Sequence, residues 1–278
     1  MHLRINLELI LFDWGSKTYV MGILNITPDS FSNDGIYADV DLAVDRGIEM
    51  VANGADILDI GGESSKPAAL YGEVEKISLD EELDRVIPTI DGLANKAKCL
   101  LSVDTYKSKV AEAAIAAGAH VVNDIWGLSR DPEMAPLIAD TGVSVVLMHN
   151  AKEPKYRDVV LDTLDFLKAQ VEFAVANGIH QDKIIIDPGI GFSKGTTENL
   201  EILNRLEEYK KIGLPLLVGT SRKATIGQIL DLPLDDRIEG TAATIAVAIS
   251  RGADMVRVHD VKEMNRVSKM TDAIVRRG

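Results

Sequence analysis

The chain has 278 residues, 46% of them hydrophobic and 26% charged, ordinary globular values that exclude wholesale disorder. Its 30 Lys and Arg against 43 Asp and Glu leave a net charge of −13, which repels nucleic-acid backbones and anionic membranes alike. Aromatics at 5% are too few for a base-stacking platform. The single cysteine, Cys99, excludes an intrachain disulfide and any multi-cysteine metal site, and fits a reducing cytoplasm.

The first stretch, "MHLRINLELILFDWGS", is broken by Glu8 and Asp13 and lacks a small-residue cleavage site, so it does not read as a signal peptide. No apolar run approaches the length of a membrane span. A Gly15-Ser16 turn predicts a small hairpin ahead of the first regular unit. Beyond it, short aliphatic runs recur: "YVMGILNI" (19–26), "DILDI" (56–60), "LLSVD" (100–104), "HVVNDI" (120–125), "VSVVLMH" (143–149), "KIIIDPG" (183–189), "LPLLVG" (214–219) and "DMVRVHD" (254–260). Short, continuous apolar runs suit strands buried on both faces, as parallel strands are.

Helical patterns separate them. "VDLAVDRGIEMVANG" repeats apolar residues at Leu42, Ile48 and Val51 near helical spacing, which predicts a helix. "SKVAEAAIAAGAH", "DTLDFLKAQVEFAVANG" and "TAATIAVAISRGAD" stop at Gly118, Gly178 and Gly252, the expected connection from helix to next strand. In the last of these, Ile245, Ala248 and Ile249 fit either a dimer face or packing inward. No linker or composition break divides the chain, so residues 1–278 read as one domain. Eight strands, each followed by a helix, predict a (β/α)8 TIM barrel with the N-terminal hairpin closing its bottom. A doubly wound open sheet is the rival, and the missing Gly-x-Gly-x-x-Gly turn counts only modestly against it.

A barrel builds its active site at the C-terminal ends of its strands. Those ends carry Asn25, Asp59 with Gly61-Gly62-Glu63, Asp104, Asn123 with Asp124, Met148 with His149, Asp187, Lys223, and Arg257 with His259. Any one Asp or Asn there serves as readily in a cap or turn, and Asp124 and His149 are assigned to structure. Asp104, Asn123, Asp187 and Lys223 together match the donor and acceptor edge of a planar heterocycle. Arg257 and His259 alternate along the last strand and so share a face. With Asn25 nearby they suit a phosphate or diphosphate and a hard cation held by the Asn oxygen. Two long loops, "TPDSFSNDGIYAD" and "GGESSKPAALYGEVEKIS", follow the first two strands and read as lids.

Six motifs in order carry a resemblance: "GILNITPDSFSNDG", "DILDIGGESSKP", "LLSVDTYKSKVAEAAIAAGAHVVNDIWG", "IIIDPGIGFSKGTTENL", "GTSRKATIG" and "VRVHD". From about Tyr19 to the C-terminus the chain resembles the dihydropteroate synthase family. The resemblance implies a (β/α)8 fold and a transferase that joins 6-hydroxymethyl-7,8-dihydropterin pyrophosphate to p-aminobenzoate. It also implies Mg2+, a homodimer, and sulfonamide inhibitors that mimic p-aminobenzoate, in a protein whose composition predicts cytoplasmic residence. Its catalytic residues would be Asp104, Lys223, Arg257 and His259. Asp104, Asn123, Met148, Asp187 and Lys223 would hold the pterin; Asn25, Arg257 and His259 the diphosphate, with Asn25 also at the metal. Asp29, Phe31, Ser65, Lys66, Pro67, Arg222 and Ala224 would surround p-aminobenzoate.

Four positions depart from the family pattern. The second loop usually reads Gly-Gly-Glu-Ser-Thr-Arg-Pro-Gly, and here Ser65, Lys66 and Ala68 replace Thr, Arg and Gly. Lys66 keeps the charge without the planar fork of Arg. Ala224 stands where many relatives have Ser. These changes fall on the p-aminobenzoate side, so the expectation is altered sulfonamide contacts on an intact pterin pocket. The competing readings are a pterin-binding paralogue without synthase activity and a corrinoid-linked pterin methyltransferase.

Overall fold

The computed structural model describes residues 12–27, 39–63, 77–152 and 155–276. Its elements run β1 (Tyr19–Asn25), α1 (Val40–Ala52), β2 (Ile57–Gly61), α2 (Leu79–Ala94), β3 (Leu100–Asp104), α3 (Ser108–Ala117), β4 (Val121–Asp124), α4 (Met134–Thr141) and β5 (Ser144–Met148). Then follow α5 (Val159–Ala176), β6 (Ile184–Asp187), α6 (Thr196–Asn204), β7 (Leu217–Val218), α7 (Ala224–Leu230), α8 (Ile238–Ser250), β8 (Met255–Val258) and α9 (Val261–Val275). All the strand pairs are parallel, in the order β6-β5-β4-β3-β2-β1-β8-β7. The amide of Ile186 donates to Pro215 O at 2.9 Å beside an Ile186–Leu216 bridge, which joins the two ends of that order and closes the barrel. Neighbouring strands are neighbours in sequence, so the doubly wound alternative fails: its order reverses partway across the sheet.

Two apolar layers result. One lies between strands and helices, from Val20 and Leu24 through Leu58, Val103 and Leu147 to Val258. The other fills the lower barrel with Tyr19, Met21, Ile57, Leu100, Val121, Val146, Ile185, Leu217 and Met255. Under it sit Phe12 and Trp14, stacked at 4.4 Å between ring centroids, with Tyr19 edge-on to both at 5.0 and 5.3 Å. The predicted turn is present, Ser16 N donating to Asp13 O at 3.1 Å with Gly15 at φ 97°. The hairpin's first arm lies outside the described residues.

Gly118, Gly178 and Gly252 all take positive φ just past helix ends, as expected. The buried face of α1 is set by its neighbours. Ala43, Val44, Gly47 and Met50 are its buried residues, whereas Leu42 and Ile48 are exposed. Gly47 explains the choice: a Cβ there would stand 2.7 Å from Leu93 Cδ2, so the helix turns its smallest residue toward α2. After β7 the chain forms two helices, α7 and α8, rather than one. Ile245, Ala248 and Ile249 are fully or nearly buried and pack inward on the barrel. Among the described residues no helix is long and apolar enough to cross a membrane.

Candidate active site at the barrel mouth

Side chains two apart on a strand share a face, and this alternation lifts chemistry directly above the apolar layer. Ile57 leads to Asp59, Leu100 to Ser102 and Asp104, Val121 to Asn123, Ile185 to Asp187 and Met255 to Arg257. Val146 leads likewise to Met148, which is buried beside Asp187 in the β5–β6 register.

Asp59 is the hub. Completely buried, it accepts from Ser102 Oγ at 2.6 Å, Asn123 Nδ2 at 2.9 Å and Arg257 Nε at 2.6 Å. Arg257 also donates to Asp104 Oδ2 at 2.8 Å. A carboxylate buried this deeply is tolerable only when paired and hydrogen-bonded, and strands β2, β3, β4 and β8 together supply that. Burial works against the Arg257 charge, but Asp59 and Asp104 outweigh it and hold its pKa above the ordinary value. Burial pushes Asp104 up to about 7, against the opposing pull of Arg257. Asp59 stood among the strand-end residues of the sequence without a role. Its signal was a charge two residues beyond an inward-facing Ile in "DILDI".

Across the mouth, Asp187 accepts from Gly189 N at 2.7 Å and is raised by burial to about 6. Lys223 Nζ sits 4.1 Å from the centroid of the Phe192 ring, and its aliphatic stem passes over Gly191, where a Cβ would meet Cδ at 2.7 Å. Burial and then Arg257 lower Lys223 to about 8, with Asp187 and Asp104 opposing. The loop carrying Phe192 hangs on Lys194, which donates to Gly189 O at 3.0 Å, Phe192 O at 3.0 Å and His149 Nδ1 at 2.9 Å. His149 is thus a structural acceptor, and Asp124 caps its own turn by accepting from Trp126 N and Leu128 N at 2.8 and 2.9 Å. Neither belongs to the mouth, in line with the sequence reading.

The adjacent cations of "GTSRKATIG", Arg222 and Lys223, diverge. Arg222 stands at φ 55° and pairs with Asp260 through both Nε, at 3.0 Å, and Nη2, while Lys223 points to Phe192. Ala224 begins α7. His259 lies just past β8 with Nδ1 3.0 Å from Ser221 Oγ, and burial followed by Arg257, Arg222 and Lys223 lowers it to about 3. Asn25 ends β1, with Gly61 between it and Asp104. Its side chain has no hydrogen-bond partner among the described residues. Glu63 is fixed by Tyr106 Oη at 3.1 Å and Lys107 Nζ at 2.7 Å, and Lys107 also reaches Glu82 at 2.5 Å and Ile77 O at 3.1 Å. The positions Asp29, Phe31, Ser65, Lys66, Pro67 and Ala68 lie outside the described residues.

The chain matches the pterin binding enzyme family over residues 21–259. It is 49% identical over 262 residues to the dihydropteroate synthase of Bacillus subtilis (strain 168), covering 94% of this chain and 90% of that protein. The chain belongs to the dihydropteroate synthase family. The fold agrees. A crystal structure of the Clostridium difficile dihydropteroate synthase in the presence of pteroic acid superimposes with a TM-score of 0.90 at 46% identity, over 96% of this chain and 100% of the other. The Xanthomonas albilineans dihydropteroate synthase with 4-aminobenzoic acid gives a TM-score of 0.87 at 40% identity, over 94% of each chain.

Proposed function

We infer that the protein is a transferase that condenses 6-hydroxymethyl-7,8-dihydropterin pyrophosphate with p-aminobenzoate to 7,8-dihydropteroate and pyrophosphate. The observation that carries this reading is the convergence of Asp104, Asn123, Asp187, Lys223 and Arg257 on one buried mouth around Asp59. Carboxylates at Asp104 and Asp187 accept the N–H donors of an aminopyrimidinone edge, Asn123 offers donor and acceptor, and Lys223 meets the ring carbonyl. Met148 supplies the apolar wall.

The pterin CH2–O bond breaks with its electron pair leaving on the diphosphate, and the electron-rich ring spreads the resulting cation. Asp104 opposes that positive charge, while Arg257 and His259 receive the departing diphosphate. The arylamine nitrogen then bonds to the methylene carbon and releases its proton to solvent; it is neutral at pH 7, so no strong base is required. A closed mouth shelters the cation from water. Asp29, Phe31, Ser65, Lys66 and Pro67, with Arg222 and Ala224, border p-aminobenzoate in this reading.

Mg2+ fits the donor set as a companion of the diphosphate. Asn25 offers one unpartnered amide, and no group of three or more His, Cys, Asp or Glu able to hold a metal occurs among the described residues. Mg2+ is commonly held by one or two protein groups, waters and substrate phosphates, and when bound it would neutralise charge on the leaving group. Cytoplasmic residence and a homodimer complete the proposal.

The test is product formation from the two substrates by the purified protein, with and without Mg2+. Metal-dependent dihydropteroate is expected. Tight binding of the pterin pyrophosphate without product would overturn the synthase reading in favour of a pterin-binding paralogue.

A further inference from the structure

Ser221 makes two contacts to one residue across the β7–β8 seam. Its Oγ lies 3.1 Å from the backbone N of His259 and 3.0 Å from the ring Nδ1 of the same residue. The turn that places it is tied down on both sides. Lys223 N closes it on Thr220 O at 3.1 Å, Arg222 N donates to Thr241 Oγ1 at 3.1 Å, and Arg237 Nη1 donates to Arg222 O at 3.1 Å. Arg222 at φ 55° occupies a backbone region usually given to glycine, so the position of Ser221 is held at some cost.

The proton inventory of these contacts has one solution. A backbone N–H can only donate, so Ser221 Oγ accepts from His259 N. The hydroxyl keeps one proton to place, and Ser221 is buried, 4% exposed. Nδ1 is the sole recorded acceptor within its reach among the described residues. Were Nδ1 itself protonated, Oγ would accept twice and its own proton would be stranded in a buried place, with no partner to offset its lost hydration. We propose that Ser221 is a positioning residue that fixes His259 in the Nε2–H tautomer and so presents a hydrogen-bond donor to the departing diphosphate. The role in the reaction rests on the reading of His259 given under Proposed function; the tautomer does not.

Three observations agree. Nε2 of His259 has no hydrogen-bond partner among the described residues, leaving it for a ligand. Burial and the cations Arg257, Arg222 and Lys223 keep the ring neutral through the physiological range, and an imidazolium would carry protons on both nitrogens and leave Ser221 nothing to select. A pre-set donor also needs no reorganisation when charge develops on the leaving oxygen. The opposite tautomer would turn a lone pair toward that oxygen.

The experiment is 15N–1H NMR of the imidazoles in the full-length protein, with His259→Gln to assign the signal, beside steady-state kinetics. The expected spectrum shows Nε2 protonated and Nδ1 bare and hydrogen-bonded, unchanged between pH 5 and pH 8. Ser221→Ala is expected to give mixed tautomers and to lower kcat/KM for the pterin pyrophosphate about tenfold, or ~1.4 kcal/mol, with KM for p-aminobenzoate unmoved. Ser221→Thr, which keeps the hydroxyl, is expected to restore both. A wild-type spectrum with Nδ1 protonated, or a tautomer unaltered in Ser221→Ala, overturns the proposal. Unchanged rates in Ser221→Ala while His259→Gln is impaired overturn the positioning role alone. Full activity in His259→Gln overturns the diphosphate reading of the site and the role built on it, and the spectrum tells that case from the others.

Discussion

In the proposed function, Asp104 and Asp187 would set the acid side of the reaction. On that reading both must be ionised to accept the pterin's N–H donors, and burial raises them to about 7 and about 6. The expected profile of kcat/KM for the pterin pyrophosphate falls about twentyfold from pH 8 to pH 6, and Asp104→Asn should reduce that fall to about twofold along with losing most activity. His259, lowered to about 3, does not titrate in this window. The same shift makes a stability statement of opposite sign. A carboxyl whose folded pKa is raised contributes stability that is fully present below its unfolded value of ~4 and is lost as pH rises through the folded value. Asp104→Asn is therefore expected to raise the thermal midpoint by a few degrees at pH 8 and by less at pH 5. A midpoint that drops equally at both pH values would refute this. The strand-end carboxylates were legible in the sequence because alternation fixes facing. Their shifted pKa values were not, since burial depends on seven other strands.

At the scale of elements, loop geometry decides how well these groups are held. Gly189 stands at φ 71°, and a Cβ there would lie 2.0 Å from His149 O, a backbone atom that cannot step aside. Its amide is also the donor that orients Asp187. Gly189→Ala is expected to cost roughly 2 kcal/mol or more and to raise KM for the pterin substrate without changing KM for p-aminobenzoate. Denaturant titration and kinetics on the soluble fraction read both. The clamp of Lys107 on Glu63, Glu82 and Ile77 O likewise fixes Glu63 and Ile77, one near each end of the second long loop. Periodicity found α1 but did not say which face it buries: Ala43 and Gly47 turn inward because the nearness of α2 favours small side chains. The same blindness left Arg222 without its partner: Asp260 is 38 residues away and meets it only in the closed barrel.

At the scale of the molecule, the lower barrel carries stability while the upper barrel carries chemistry. Met21 is fully buried in the lower layer, so Met21→Ala is expected to cost about 2–5 kcal/mol. The urea midpoint should fall while both KM values of the folded enzyme stay as they were. A change in KM would mean that the two layers are coupled. The proposed homodimer has its apolar surface elsewhere than Ile245, Ala248 and Ile249, which the barrel has already buried. Val247, Met270 and Ile274 on α8 and α9 are exposed, and Met270→Glu is expected to shift the protein from dimer to monomer in light scattering, whereas a monomeric parent would refute the dimer.

The sequence by itself determined the (β/α)8 order, the strand ends and the residue types placed there, because short apolar runs with period two state both where a strand lies and which side chains share its face. It also determined family membership, through six motifs in fixed order. Only the tertiary structure decided what each group does to the next: Asp59 as the buried counter-charge of Arg257, Lys194 as the support of the Phe192 loop, and Ser221 as the partner of His259. Those contacts join residues 198, 2 and 38 positions apart. Closing the barrel brings Asp59 to Arg257 and Ser221 to His259, and even the short-range Lys194 contact depends on burial that local sequence does not encode.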